Sequence, residues 1–276
     1  MSGTLYLVAT PIGNLEDMTY RAVRILSEVD LIAAEDTRVS RRLLNHFEIS
    51  KPLISYFEHN KRLREDELLQ HLLAGEDVAL ICDAGTPAIS DPGADIARSA
   101  IEHGINVVPI PGCCAAISAL TAAGLDTHQF SFIGFLPREK KDRRAALQAV
   151  AAEQRTLVFY EAPHRLKAVL EDMVAAFGEQ RSAAACRELT KLHEEFVRGT
   201  LAEIREHFAV NEPRGEFVLV IAGAEPPAPT AAPDEAELAD MLNELIAGGL
   251  PRKAAAKQLA AEYGLSAKDV YAIGLK

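Results

Sequence analysis

Short runs of branched apolar residues alternate along this chain with longer stretches in which apolar positions recur every three or four residues. The first pattern predicts buried strands and the second amphipathic helices. Thr4-Leu5-Tyr6-Leu7-Val8-Ala9 is the first strand run, and Thr10-Pro11-Ile12-Gly13-Asn14 breaks it at once. Helical spacing over 20–29 leads to the short apolar run 31–34, then to a helix over 40–46 and a strand over 53–56. A charged helix over 60–73 precedes Val78-Ala79-Leu80-Ile81-Cys82, followed by a helix over 94–103 and a strand over 106–110. The helix over 113–123 is made of small residues, which permit close backbone approach, and the run 130–135 closes this first half. Strand alternating with helix is the rhythm of an α/β fold with a largely parallel sheet.

After Leu136-Pro137-Arg138, read as a hinge, the texture changes. A helix over 139–153 and one reaching about residue 177 flank the strand 156–160. Further strands over 183–186, 195–197 and 217–221 are joined by connections that do not all hold a helix, so this second sheet is predicted to be mixed in direction. Prolines then crowd residues 223–233, too stiff and polar for a core. Beyond them, helices over 234–247, 252–263 and 267–274, with Gly turns between, make a helix-turn-helix pattern that docks either on nucleic acid or on the protein itself. The units are therefore 1–136, 137–223, a linker at 224–233 and a helical domain at 234–276.

Polar residues gather where strands end, as they do where open α/β sheets bind ligands. Asp83-Ala84-Gly85-Thr86-Pro87-Ala88-Ile89-Ser90-Asp91-Pro92-Gly93 follows one strand, Glu35-Asp36-Thr37-Arg38 another and Pro111-Gly112 a third. Each also has a plain reading, as a structured connection or a helix cap. The first loop lacks G-x-G-x-x-G spacing, so a dinucleotide fingerprint is not supported.

Composition narrows the choice. The 276 residues carry 29 Lys and Arg against 40 Asp and Glu, a formal charge of −11, so a polyanion would need a local basic patch. Two patches qualify: Arg138, Lys140, Lys141, Arg143 and Arg144, at a helix start where the dipole disfavours cations, and residues 250–276. The first is open to two readings, a phosphate contact or a solvated helix face. Cys82, Cys113, Cys114 and Cys186 lack metal-ligand spacing, so no metal is expected. Without a leader-like start or an apolar run of membrane length, the chain reads as soluble and cytoplasmic.

Five motifs, taken together and in order, are more specific. Val8-Ala9-Thr10-Pro11-Ile12-Gly13-Asn14-Leu15, Ala34-Glu35-Asp36-Thr37-Arg38, the loop 83–93, Phe159-Tyr160-Glu161-Ala162-Pro163-His164-Arg165 and Cys186-Arg187-Glu188-Leu189-Thr190-Lys191 resemble the bacterial small-subunit ribosomal RNA cytidine 2'-O-methyltransferases of the tetrapyrrole-methylase superfamily. The resemblance runs the length of the chain. It implies two α/β domains with S-adenosylmethionine in the cleft between them, a homodimer, and a substrate that is 16S ribosomal RNA or the small subunit, methylated on a cytidine ribose at the decoding centre. By motif it assigns Pro11, Ala84, Gly85, Thr86, Ile89, Cys114, Ala115, Glu161 and Leu189 to the cofactor. Thr-Pro-Ile-Gly-Asn stands where tetrapyrrole enzymes have a Gly-rich loop, which counts against a porphyrin-like substrate.

An activated sulfonium methyl needs mainly alignment and exclusion of water, and a ribose hydroxyl needs a nearby proton acceptor. Glu35, Asp36, Arg38 and Lys191 are expected near the methyl, with Asp36 or Lys191 as base and Arg38 on RNA phosphate. A plain salt bridge between the acidic turn and Lys191 is the alternative.

Overall fold

The computed structural model describes residues 2–57, 61–91, 93–226 and 233–273. Pro92, the middle of the proline-rich linker, and the expected ends of the charged helix at Asn60 and of the last helix at Gly274 lie outside the described residues. By its contacts the chain divides into two units, 1–224 and 225–276.

The larger unit holds two five-stranded sheets. The first is wholly parallel, ordered β3-β2-β4-β1-β5, from β1 (Thr4–Val8), β2 (Leu31–Ala34), β3 (Leu53–Ser55), β4 (Val78–Ile81) and β5 (Asn106–Ile110). Every residue of β2 and β4 is buried, as expected where helices cover both faces. One face receives Leu68, Leu72, Ile96 and Ala100 from α3 (Lys61–Leu73) and α4 (Gly93–Glu102). The other receives Ala22, Ile25 and Leu26 from α1 (Tyr20–Glu28) and Leu44 from α2 (Thr37–His46). All four polar strand-end loops therefore emerge on one edge of this sheet. The helix expected to begin at residue 40 begins at Thr37, because the Asp36 carboxylate caps it by accepting from the Arg38 N–H at 2.8 Å.

The second sheet, ordered β6-β7-β10-β8-β9, is mixed, and β6 (Phe130–Phe135) belongs to it. The sequence pattern assigns that run to the first half, yet β6 pairs in parallel with β7 (Thr156–Glu161) across the helix α6 (Lys140–Ala149). A strand-helix-strand unit closes locally. Nothing in an apolar run tells which of two sheets it joins. The remaining pairs, β7 with β10 (Phe217–Ile221), β10 with β8 (Ser182–Arg187) and β8 with β9 (Glu195–Thr200), are antiparallel. α6, α7 (Pro163–Phe177) and α8 (Leu201–Val210) cover one face. The opposite face packs on α5 (Ala115–Ala122), whose Ala116, Ala119 and Leu120 meet Val158, Ala184 and Val218. The small-residue helix is thus the joint between the sheets.

The smaller unit folds α9 (Glu235–Ala247), α10 (Arg252–Tyr263) and α11 (Ala267–Ala272) around Leu242, Ala255, Leu259 and Val270. Asp234 and Glu237 form a capping box at its start. Arg252, counted among the basic residues of this end, spends its guanidinium on the carbonyls of Tyr271 and Ile273.

The buried ion cluster between α6 and α7 yields a test. Asp172, 2% exposed at its side chain, accepts from Arg143 Nε at 2.8 Å and Nη2 at 2.6 Å, and from Arg144 Nε at 2.6 Å. Burial pushes its carboxyl up, but the hydrogen bonds from Arg144 and Arg143 outweigh this and hold its pKa below the ordinary value. Its stabilisation is therefore complete at neutral pH and is lost as pH falls through that depressed value. Asp172→Asn leaves Arg143 buried without its counter-charge, and should cost about 3–5 kcal/mol in urea unfolding at pH 7. The deficit should shrink in acid.

Candidate active site

The loops at the carboxyl ends of β1, β2, β4 and β5 are tied to one another before any ligand is considered. Thr10 and Gly85 exchange backbone hydrogen bonds of 2.8 and 3.1 Å, and the Thr10 hydroxyl donates to the Cys82 carbonyl at 3.2 Å. The Thr86 hydroxyl donates to the Cys113 carbonyl at 2.8 Å. The Asp36 N–H donates to Asp83 Oδ1 at 3.0 Å. Gly85 sits at φ 86°, where a side chain would be strained, so glycine is what lets this bridge form.

Opposite these loops stand the ends of β7 and β10 and the turn after β8, and the space between is a cleft of about 540 Å³. That volume falls within the range of small-ligand sites, about 300–1,000 Å³. Ala84, Gly85, Thr86, Ile89, Cys114, Ala115, Glu161 and Leu189 all line it, as do Glu35 and Lys191. Pro11 does not; it is buried behind the loop, and Ile12 takes the lining position. Asp36 and Arg38 are not among the lining residues. They form an ion pair of 2.7 Å with Arg38 88% exposed.

Two of the cleft loops hold unfavourable backbone. Ala88, Ser90, Glu188 and Thr190 all have φ between 50 and 71°. Such angles persist in residues other than glycine only where the surroundings enforce them, and they gather at functional sites. The Asp91 carboxylate enforces the first pair, accepting from the N–H groups of Ala88 at 2.8 Å and Gly93 at 2.7 Å. Glu188 and Glu194 enforce the second: Lys191 donates to Glu188 Oε1 at 2.8 Å and the Thr190 N–H to Glu194 Oε2 at 2.7 Å. Across the cleft, the Lys191 stem lies so close to Gly13 that a Cβ there would clash with its Cγ.

The cleft is acidic. Glu35, Asp83, Asp91, Glu161, Glu188 and Glu216 line it, with Lys191 the only Lys or Arg among the described lining residues. Burial raises the pKa of Glu35, and the charges of Asp83, Asp91 and Asp36 add to the shift. Burial also raises Asp83 and Asp91. Asp36 goes the other way, held down to about 2 by its hydrogen bonds with Arg38. Burial works against the charge of Lys191, but its hydrogen bonds to Glu188 and Glu216 prevail and raise its pKa. Lys191 forms its salt bridges with these two glutamates, not with the acidic turn weighed as its partner from the sequence. Asp36 is thus a weak base, and Lys191 is held as a cation.

Glu161 is 2% exposed, and its Oε2 has no hydrogen-bond partner among the described residues, while Oε1 accepts from the Ala162 N–H. Arg165 lies 3.3 Å from Oε1 and donates instead to the carbonyls of Leu136 and Pro137, the expected hinge. Tyr160, its pKa pushed up to about 12 by burial, accepts from the Ala116 N–H, so this donor at the start of α5 has a protein acceptor. Among the basic residues at the start of α6, Arg138, Lys140 and Lys141 are exposed. Arg143 is buried on Asp172 and Arg144 is half-exposed on the same carboxylate, which removes Arg143 from any surface contact. Asp83 and Asp91 stand within the loop read from the sequence, but Glu216 and Val218 gave no local signal, because β10 reaches the cleft only through pairing.

Among the described residues no helix is long and apolar enough to cross a membrane, and no group of three His, Cys, Asp or Glu side chains is placed to hold a metal.

Two five-stranded sheets facing one another across a carboxylate-lined, strand-end cleft of small-ligand size define an α/β protein of two packed sheets. Residues 4–205 match the model of the tetrapyrrole (corrin/porphyrin) methylases. Ribosomal RNA small subunit methyltransferase I of Synechocystis sp. is 51% identical over 274 residues, covering 99% of this chain and 98% of its own length. The protein of the same name from Bacillus subtilis is 44% identical over 276 residues, covering 98% of this chain and 93% of its own. The chain belongs to the tetrapyrrole methylase family and, within it, to the group of ribosomal RNA small subunit methyltransferase I proteins. Two solved structures share the fold. Diphthine synthase superposes with a TM-score of 0.61 at 13% identity, over 80% of this chain and 90% of its own. Uroporphyrin-III C-methyl transferase from Thermus thermophilus, complexed with S-adenyl homocysteine, gives 0.57 at 20% identity, over 80% and 97%.

Asp91→Ala should show what the strained loop costs. With two amides left unpaired, stability should fall by about 1–3 kcal/mol in urea unfolding, and amide exchange at Ala88 and Gly93 should quicken. Asp91→Asn, which keeps the acceptor oxygen, should lose less.

Proposed function

We propose that this chain uses S-adenosylmethionine to methylate a cytidine 2'-hydroxyl in the decoding region of 16S ribosomal RNA. The observation that carries the reading is the end-to-end match, at about half identity, to proteins named ribosomal RNA small subunit methyltransferase I. A cytoplasmic homodimer is part of the same reading.

The residues present suit the cofactor. An acidic cleft favours a ligand bearing sulfonium and ammonium charge, the apolar walls at Ile12, Ile89 and Leu189 suit a flat base, and the orphaned Glu161 oxygen has the character of an acceptor awaiting a donor. Ala84, Gly85, Thr86, Ile89, Cys114, Ala115, Glu161 and Leu189 would hold it, and Pro11 would act only by shaping the first loop. When bound, it supplies a methyl group already activated by the sulfonium.

What this chain adds is alignment and proton transfer. Glu35, a lining carboxylate made more basic by burial and by neighbouring acids, accepts the proton of the ribose hydroxyl. Asp36 is too acidic for that work, and its part is to cap α2 and fix Arg38 at the rim. Lys191, kept charged, ties the second-lobe turn to the first loop and orients whatever oxygen reaches it. Arg38 meets phosphate, and Arg138, Lys140 and Lys141 offer a second, exposed basic contact.

Incubation with labelled S-adenosylmethionine and either small ribosomal subunits, naked 16S RNA or uroporphyrinogen should label RNA alone, with mass mapping placing the methyl on one cytidine ribose. Labelled porphyrinogen, or no label in RNA, would overturn the reading. Glu35→Gln should lower kcat about 10²–10⁴-fold with cofactor binding unchanged. Because folding raises the Glu35 pKa, the folded state gains in acid and loses that gain as pH rises through the raised value. The same variant should therefore be more stable than the native protein at pH 7, and the difference should vanish in acid.

A further inference from the structure

The reading above places RNA at the cleft, and the helix best able to receive it beyond the rim is α2. Over its ten residues, about 15 Å of rise, Arg38, Arg41, Arg42, Asn45 and His46 recur at the spacing that places side chains on one helical face. All five are exposed, while Ser40 and Leu44 on the opposite side are buried. No acid stands on the helix: the chain passes from Asp36, its cap, to Glu48 without one.

That pattern is unusual for this molecule. On other helices an arginine is paired with an acid one turn away, Arg24 with Glu28 on α1, Arg64 with Glu67 on α3 and Arg98 with Asp95 on α4. α6, the more basic helix by sequence, commits Arg143 and Arg144 to Asp172. Arg41 and Arg42 carry neither a hydrogen bond nor an ion pair among the described residues, in a chain of net charge −11. Two adjacent unneutralised guanidinium groups, Arg41 and Arg42, cost self-repulsion and suit an anion presented along a line. The stripe also starts at the site: Asp36, paired with Arg38, follows Glu35, which lines the cleft.

We infer that α2 lies along the sugar-phosphate backbone of the RNA substrate, with Arg41 and Arg42 contacting phosphates on the strand that leads to the target ribose. The inference rests on the proposed function. It adds a binding surface distinct from the start of α6 and gives RNA binding a salt dependence that α2 in large part determines. Arg42 and Arg41 are positioning residues, since they set the register of the strand without touching the reacting atoms.

The test measures binding of full-length 16S RNA to the native protein, to Arg41→Ala/Arg42→Ala and to Arg41→Lys/Arg42→Lys across a salt series, with cofactor binding and thermal unfolding followed in parallel. Each lost phosphate contact removes about 0.7–0.9 from the slope of log K against log salt. The alanine pair should therefore flatten the slope by about 1.4–1.8 and weaken binding at least tenfold at low salt. The lysine pair should restore most of the slope, and cofactor affinity and unfolding temperature should not move, because neither arginine has a partner among the described residues. If the native protein binds and methylates RNA but the alanine pair keeps the native slope, the α2 surface is wrong and the proposed function stands. If the native protein neither binds nor methylates RNA, both fall together.

Discussion

The paired backbone hydrogen bonds between Thr10 and Gly85 are the constraint on which the rest of the site depends. They join the loop after β1 to the loop after β4, the two neighbours at the middle of the parallel sheet. Once that bridge is made, Thr86 reaches the Cys113 carbonyl and Asp83 the amide of Asp36, so loops from four strands form one rigid rim. A buried parallel sheet gives such loops a firm base, because its strands have no freedom to shift. The strain at Ala88 and Ser90 is supported on that base.

The second lobe is held to the first by apolar packing of small residues. α5 presents Ala116 and Ala119 to β7, β8 and β10, and its first turn also carries Cys114 and Ala115 to the cleft. One helix thus sets the distance between the sheets and supplies part of the cleft wall. The Tyr160 hydroxyl on the Ala116 amide fixes the start of that helix to β7, and the Phe132 and Phe135 rings pack edge-on against the same tyrosine. A cleft whose width is set by methyl groups tolerates little enlargement, since interiors at this density yield only at a cost.

Electrostatics divides the molecule by role. The cleft concentrates carboxylates, and burial raises the pKa of Glu35, Asp83, Asp91 and Glu161, an arrangement that costs stability. Outside the rim, several helix arginines pair with acids one turn away, whereas Arg41 and Arg42 on α2 and Lys140 and Lys141 on α6 are left exposed. The arginines of α6 show why a charge run cannot be read as a surface from spacing alone. Arg143 and Arg144 are adjacent in sequence to exposed Lys140 and Lys141, yet a carboxylate 28 or 29 residues away claims them both.

The family resemblance pointed to several residues that line the cleft, and the residues themselves determined the α/β alternation, the mixed second sheet and the strand-end position of the polar loops. These follow from local chemistry: apolar runs must be buried, and Gly, Pro and Asp end them. Tertiary structure decided what depends on partners distant along the chain. β6 joined the second sheet because its neighbour in space is β7, and nothing in an apolar run names that neighbour. Lys191 became a fixed cation through Glu188 and Glu216, whereas its proposed role as base assumed burial without carboxylate partners. Glu216 and Val218 line the cleft through strand pairing, Pro11 lies behind Ile12, and the pKa of Glu35 rises while that of Asp36 falls because Asp36 is paired with Arg38. The ionisation of a side chain is set by what folds against it, and that information is not local.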